Sequence, residues 1–118
     1  MELPHNHQKE TTTVASFLPT NDVCIDLADT FKLLSDASRL RIVWLLLHVE
    51  ECVSNISAIV NMSDQAVSHH LKVLKKAGFI TSSRKGKEIF YKASENEKMQ
   101  LIHQVIEELM QLQCPLQK

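Results

Sequence analysis

Five polar residues recur along one segment of the chain at the spacing of a single helix face. Four of them are four, three and four positions apart, and a serine lies beside them: Gln65, Ser68, His69, Lys72 and Lys76. Side chains three or four positions apart share one face of an α-helix. Amide, imidazole and hydroxyl groups can bond base edges in the major groove, and lysines can meet phosphates. This face therefore predicts contact with double-stranded DNA, together with Ser63 at the start of the helix.

A second group of cations follows a few residues later in the chain. Arg84, Lys85 and Lys87 surround Gly86, between two stretches of β-prone residues. Such stretches around a glycine-containing turn predict a β-hairpin. Cations at its tip can lie against the DNA backbone or in the minor groove. The positive charge is local, because the whole chain has a net charge of -1.

The spacing of apolar residues and the capping residues predict the elements that position these groups. We expect a helix from residue 21, a helix capped at 35 or 36 and ending near 48, and a short helix from 54. A turn at 61–63, a helix to 77, the hairpin and a last helix from near 94 complete the order. The predicted fold is mainly α with a small β-hairpin, a winged helix-turn-helix of order α-α-α-α-β-β-α.

Length and composition are those of one domain. Residues 1–20, with two prolines and three successive threonines, predict a flexible N-terminal arm. Residues 21–114 are the predicted DNA-binding and dimerisation domain, and residues 115–118 form a tail. Two glycines and 5% aromatic residues argue against a sandwich, a barrel or a glycine-rich cofactor fold. No HExxH motif, Ser-His-Asp spacing or phosphate-binding loop is present, so we expect no enzyme activity.

The cysteines and the apolar runs indicate a cytoplasmic protein. The longest apolar run, Ile42 to Leu47, is about a third of a membrane span. The N-terminus has no charged start followed by an apolar stretch, so we expect no secretory signal. The three cysteines are widely spaced and odd in number, which is typical of a reducing compartment rather than of a disulfide framework.

Two stretches resemble a known family. The stretch 34–42, with Asp36, Arg39 and Ile42, resembles the "L-x-D-x-x-R-x-x-I" opening of the ArsR/SmtB metalloregulatory repressors, and 84–91 resembles their wing. The stretch 64–78 resembles their recognition helix, whose "S-x-H-L" core is here Ser68, His70 and Leu71. The resemblance covers roughly residues 22–113. It implies a homodimer that represses a promoter and dissociates when an inducer binds.

The resemblance implies two places for a metal ion, and the sequence is incomplete at both. At the first, Cys52-Val53-Ser54-Asn55 retains one thiolate of the family's "C-V-C" or "C-V-G-D" motif. The arm residues His5 and His7, and also Cys24, could complete a Zn²⁺, Cd²⁺ or Pb²⁺ site. Cys24, on the apolar stripe of the first helix, also has the simpler interpretation of a buried apolar side chain.

At the second place, on the last helix and across the dimer interface, the family's "D-x-H" and "H-x-x-H/E" positions fall on Glu95, Glu97, Glu108 and Gln111. This oxygen-rich set suits Mg²⁺, Mn²⁺ or Ca²⁺ better than Zn²⁺, or is a solvated helix face. His103 and Glu107 form a potential ligand pair on the same helix, but outside the motif register. Cys114 near the C-terminus is a weaker candidate for a soft metal.

The first and last helices are apolar on more than one side, which one short chain cannot cover. We therefore expect a homodimer through these two helices, with its recognition helices one DNA turn apart on an imperfectly palindromic operator. The predicted function is a dimeric repressor released by a soft or borderline metal. Two alternatives stay open: a repressor of this fold that responds to thiol oxidation or another ligand, and a winged-helix protein-interaction module.

Overall fold

Six helices and three strands make up residues 1–113, the part of the chain that a computed structural model describes. The helices are α1 (Glu10–Ser16), α2 (Asn21–Leu34), α3 (Ala37–His48), α4 (Val53–Val60), α5 (Asp64–Lys76) and α6 (Glu97–Gln113). The strands are β1 (Glu51–Cys52), β2 (Ile80–Lys85) and β3 (Glu88–Ala93). This order confirms the predicted winged helix-turn-helix and adds α1 and β1 to it. The chain divides into two compact units, residues 1–32 and the residues from Leu33 onward.

The first unit contains a helix where the sequence predicted a flexible arm. Helix α1 begins at Glu10, an acid that favours the positive end of the helix dipole, and it buries no side chain. Its last residue, Ser16, donates its hydroxyl hydrogen to the carbonyl of Thr13, at 2.6 Å. The division between the units falls at residue 32, twelve residues after the predicted end of the arm.

The second unit is built on α3, whose start the sequence predicted. The Asp36 carboxylate accepts a hydrogen bond from the backbone N–H of Arg39, at 2.9 Å, and so caps the helix. Ile42, Val43 and Leu46 of α3 are buried in the core of this unit.

Helices α4 and α5 form the helix-turn-helix. Helix α4 ends at Asn61, which adopts a left-handed conformation with φ of 58°, one that asparagine tolerates better than most residues. The hydroxyl of Ser63 accepts a hydrogen bond from the N–H of Ala66, at 3.1 Å, and begins α5 as predicted. The apolar stripe of α5 is buried: Val67, Leu71 and Leu74. On α4, Ile56 and Val60 are buried, whereas Ile59 is 54% exposed on the side of the helix away from the core.

The wing is a three-stranded antiparallel sheet of order β1-β3-β2, in which only β2 and β3 were predicted. Strand β1 pairs Glu51 with Tyr91 and Cys52 with Phe90, in a segment that the sequence indicated was a break between helices. Gly78, with φ of 81°, ends α5 and turns the chain into β2. The β2–β3 turn passes through Gly86, with φ of 66°.

Helix α6 begins three residues later than predicted. The side-chain oxygen of Asn96 accepts a hydrogen bond from the N–H of Met99, at 2.9 Å, and acts as the cap. Ser94, the predicted start, instead donates its hydroxyl hydrogen to the carbonyl of Gly78, at 2.8 Å. The predictions for Cys114 and for the tail at 115–118 lie outside the described residues. Over residues 1–113, no helix combines the length and apolar character needed to cross a bilayer.

Candidate nucleic-acid interface and metal ligands

The helix α5 presents all its predicted DNA-contacting side chains to solvent. Its buried residues follow one stripe, and the remaining faces are open. The exposed predicted residues are Ser63, Gln65, Ser68, His69, Lys72 and Lys76. Ser63 also caps the helix, so its hydroxyl already accepts one backbone hydrogen bond. An amphipathic helix held by its apolar stripe thus displays amide, hydroxyl, imidazole and ammonium groups together.

A lysine outside this set connects α5 to the wing. Lys75 donates a hydrogen bond from Nζ to the hydroxyl of Ser82 on β2, at 2.6 Å. Phe79 and Ile80, at the start of the wing, are buried in the same core as the helix. Both contacts hold the helix and the hairpin in one framework. The sequence did not single out Lys75, because its partner is seven residues away on another element.

The wing carries its three predicted cations on exposed positions, although they differ in their contacts. Arg84 donates a hydrogen bond from Nε to the carbonyl of Gly86, at 3.3 Å, and so supports the turn. Lys85 forms an ion pair with Glu50, the residue before β1, and its Nζ lies 5.3 Å from the centre of the Phe90 ring. The hydrogen bond and the positive charge of the Lys85 ammonium lower the pKa of Glu50, because both favour the ionised carboxylate. Sequence reasoning missed Glu50.

The two adjacent histidines of α5 have different surroundings. His69 is exposed, whereas His70 is half-buried, and its Nδ1 is buried without a hydrogen-bond partner among the described residues. Burial lowers the pKa of His70 below its ordinary value of 6.5. The charge of Asp36 opposes this shift, and those of Arg39 and His69 add to it. His70 therefore favours its neutral form and lies on the side of α5 that faces the protein rather than the solvent.

The predicted thiolate site has its donors in both units. Cys52 belongs to the second unit, where it is only 6% exposed beneath the start of α4. His5, His7 and Cys24 belong to the first unit. There the two histidine rings stack with centroids 5.5 Å apart. Cys24 is exposed, so the interpretation of a buried apolar side chain was wrong for the single chain, because α2 buries no residue there.

The predicted carboxylate site does not form within one chain. Glu97 and Glu108 are separated along α6 by about 16 Å, since a helix rises about 1.5 Å per residue. Glu95 pairs instead with Lys92, at 3.2 Å, and Glu108 accepts a hydrogen bond from Gln104, at 3.4 Å. These carboxylates could share an ion only across two copies of the chain.

One group of metal-binding side chains does come together in the described residues. The ligand atoms of His48, His103 and Glu107 all lie within 4.8 Å of one another. His48 ends α3, and the other two lie one turn apart on α6. The sequence indicated the pair on α6 but not His48, because only the packing of α3 against α6 brings it close.

Comparisons with known proteins agree with this geometry. Residues 36–82 match the family described as bacterial regulatory protein, arsR family. The chain is 30% identical over 108 residues to the transcriptional repressor SmtB homolog of Synechocystis sp., across 92% of this chain and 82% of that protein. It is 47% identical over 62 residues to the cadmium resistance transcriptional regulatory protein CadC of Listeria innocua, across 52% of each chain.

The fold also matches a solved structure. A homodimeric winged helix-turn-helix DNA-binding domain from Mycobacterium bovis superposes with a TM-score of 0.66 at 22% identity, across 79% of this chain and 88% of that one. A helix-turn-helix followed by a basic wing defines a winged-helix transcriptional regulator. The chain belongs to the arsR family of bacterial regulatory proteins. It is accordingly a DNA-binding transcriptional repressor and not an enzyme, as the sequence predicted.

Proposed function

We propose that the protein is a homodimeric repressor that binds an imperfectly palindromic operator and is released by a soft or borderline metal ion. One observation carries the DNA-binding part of this proposal. All nine predicted contact residues are exposed on two elements that share a core and a direct hydrogen bond from Lys75 to Ser82. On this proposal Gln65, Ser68 and His69 contact base edges. Five others, Ser63, Lys72, Lys76, Arg84 and Lys87, contact the DNA backbone, and Lys85 lies beside it in its ion pair with Glu50.

The test of DNA binding is fluorescence anisotropy on a labelled duplex from upstream of the protein's own gene. The protein is kept reduced and metal-free, at one fixed salt concentration. We expect Gln65→Ala to weaken binding by about 5- to 150-fold, since a bidentate amide–base contact contributes about 1–3 kcal/mol. Gln104→Ala is the matched control, because this amide is exposed on α6. Failure of the unaltered protein to bind the duplex would remove the proposal.

The proposal of a homodimer rests on two exposed apolar faces. Helix α2 buries no residue in the single chain, and α6 buries only Met99 and Ile102. The large exposed apolar side chains are Val23, Ile25, Leu27 and Phe31 on α2, and Leu101, Val105, Leu109, Met110 and Leu112 on α6. Contiguous apolar surface of this kind marks association sites. The homodimeric state of the Mycobacterium bovis domain supports the same arrangement here.

Sedimentation velocity tests the dimer. We expect Phe31→Asp and Leu109→Asp each to shift the protein towards a monomer and to weaken operator binding. Ile89→Asp is the control for the oligomeric state, because this residue is an exposed apolar side chain on the wing. A wild-type monomer at micromolar concentration would contradict the proposal.

Metal release follows from linkage. If an ion binds the DNA-free arrangement of the dimer more tightly, the operator must bind the metal-loaded protein more weakly, typically by about 1–3 kcal/mol. The relative named for cadmium resistance supports a soft metal as inducer. We propose Cys52, which retains one thiolate of the motif, as a ligand, with His5, His7 and Cys24 as further ligands. Cys52 is 6% exposed, so the ion must reach a buried thiolate.

Titration of Zn²⁺, Cd²⁺ and Pb²⁺ into the protein–DNA complex tests metal release. We expect stoichiometric release by one of the three ions, and its loss in Cys52→Ser if the thiolate is a ligand. Release by a mild thiol oxidant but by none of the metals would support the redox alternative. Indifference to all of them would leave a repressor with another ligand.

A further inference from the structure

We propose that His48, His103 and Glu107 form a metal site of two imidazoles and one carboxylate that connects α3 to α6 within one chain. The carboxylate oxygen Oε1 of Glu107 lies 3.3 Å from Nε2 of His48 and 3.3 Å from Nε2 of His103. In a tetrahedral zinc site with ligand bonds of about 2.0–2.1 Å, neighbouring ligand atoms are about 3.4 Å apart. Two edges of the required triangle are therefore already at the right length.

The hydrogen bonding of His48 prepares it as a ligand. Its Nδ1 lies 2.7 Å from the carbonyl oxygen of Trp44. Because a carbonyl can only accept a hydrogen bond, Nδ1 carries the hydrogen. Nε2 of the neutral ring then carries a lone pair that can bind a metal ion. A backbone carbonyl that fixes the second ring nitrogen in this way is the usual support of a metal-bound histidine.

This assignment leaves two acceptors facing each other. The Nε2 lone pair of His48 and the Glu107 carboxylate are 3.3 Å apart, which is favourable only with a positive charge between them. That charge is either a proton on Nε2 or a metal ion. His103, with Nε2 at the same distance from the same oxygen, adds a third donor that a proton alone does not need. The geometry therefore favours an ion with nitrogen and oxygen ligands, such as Zn²⁺.

Access to the site is open. The side chains of His48 and His103 are each 36% exposed, and that of Glu107 is 44% exposed. A cleft along the α3–β1 connection and α6 includes both histidines in its lining. Three protein ligands leave the fourth position of a zinc ion for water, which this cleft can supply.

The position of the site connects it to the wing. Two residues after His48 comes Glu50, which pairs with Lys85, and β1 follows, which bonds β3. An ion that holds His48 against α6, the helix proposed for dimerisation, therefore also constrains the segment that supports the wing. The effect on DNA rests on the proposed function, whereas the binding of the ion does not.

Cobalt spectroscopy tests the ligand set directly. Co²⁺ is added to the full-length, reduced, metal-free protein, and Zn²⁺ affinity is measured by competition with a chromophoric chelator. We expect visible d–d bands without the intense near-ultraviolet charge-transfer band of a thiolate ligand. His103→Gln and Glu107→Gln are expected to weaken Zn²⁺ binding by more than about tenfold, the effect of losing even a supporting group. Glu88→Gln is the matched control, with the same change of charge at an exposed position outside both predicted metal sites.

Each outcome separates the inference from the proposed function. A charge-transfer band, or loss of binding in Cys52→Ser, would overturn the His48 site and leave a thiolate-based repressor. No metal binding by a protein that still binds its operator would overturn the site and leave the repressor. Circular dichroism of each variant excludes unfolding as the cause, because the replaced side chains are partly exposed. Binding without any change in operator affinity would keep the site and remove its role in release.

Discussion

The ion pair between Glu50 and Lys85 leads to a prediction about DNA affinity. A lysine already paired with a carboxylate releases no counterion when it meets a phosphate unless that pair breaks. We expect Glu50→Gln to free Lys85 for the DNA backbone and to strengthen operator binding, most clearly at low salt. The lowered pKa of Glu50 means that the pair is intact at neutral pH, so the substitution and not mild acid is the proper perturbation.

The number of cations on the DNA-binding surface sets how strongly the operator-binding constant depends on salt. Of the five predicted DNA-contacting cations in each chain, four have no acidic partner among residues 1–113 and are available to phosphates: Lys72, Lys76, Arg84 and Lys87. With two chains on the operator and about 0.9 per phosphate contact, log Kobs should fall with log salt at a slope of about -7. Freeing Lys85 in both chains should steepen this slope by about 2.

Anisotropy titrations at several NaCl concentrations measure the slope. Lys85→Gln alone should leave it nearly unchanged, and Glu50→Gln with Lys85→Gln should return it to the wild-type value. Glu95→Gln is the matched control, since it removes the same charge from a pair with Lys92, which is outside the predicted interface. A slope unchanged in Glu50→Gln would refute the reasoning, and so would a steeper slope that persists in the double variant.

Two further predictions concern stability. The pKa of His70 is lowered in the folded protein, so the unfolded chain takes up the proton first, and the free energy of unfolding should fall as the pH drops below about 6.5. Urea unfolding at pH 7.5 and at pH 5.5 should show a smaller effect of pH in His70→Gln than in the unaltered protein. An equal effect in both proteins would contradict the role given to His70. Leu71→Ala should cost about 2–5 kcal/mol because this side chain is buried in the core. Ile59→Ala, on an exposed position, should cost less than about 1 kcal/mol in the same measurement, and similar costs for the two would show that the burial is wrong.

Local signals explain why much of the fold was predictable. Asp36 and Ser63 are caps that act over three residues, and the stripe of Val67, Leu71 and Leu74 has the period of a helix. Each of these features is written in a short window of the chain. The predicted DNA-facing residues of α5 are exposed because they occupy the face opposite that stripe.

The features that were missed depend on tertiary packing. Strand β1 has two residues, too few for an alternating pattern, and it exists only because β3 offers a free edge. Helix α1 contains three threonines, whose low helix propensity argued for an irregular arm. The pairs of His48 with Glu107 and of Glu50 with Lys85 join residues far apart in sequence. No local pattern contains them.

The sheet order β1-β3-β2 has a consequence for how the wing can vary between related regulators. Strand β1 bonds β3 only at Phe90 and Tyr91, so the ladder nearer the turn is bonded on one side alone. The part of the hairpin between these paired residues and the turn can lengthen, shorten or change its charge without disturbing the core. The DNA sequence preferred by the wing can therefore change by insertion at residues 86–87. Phe90 and Tyr91 cannot change as freely, because they pair with β1 in the folded sheet.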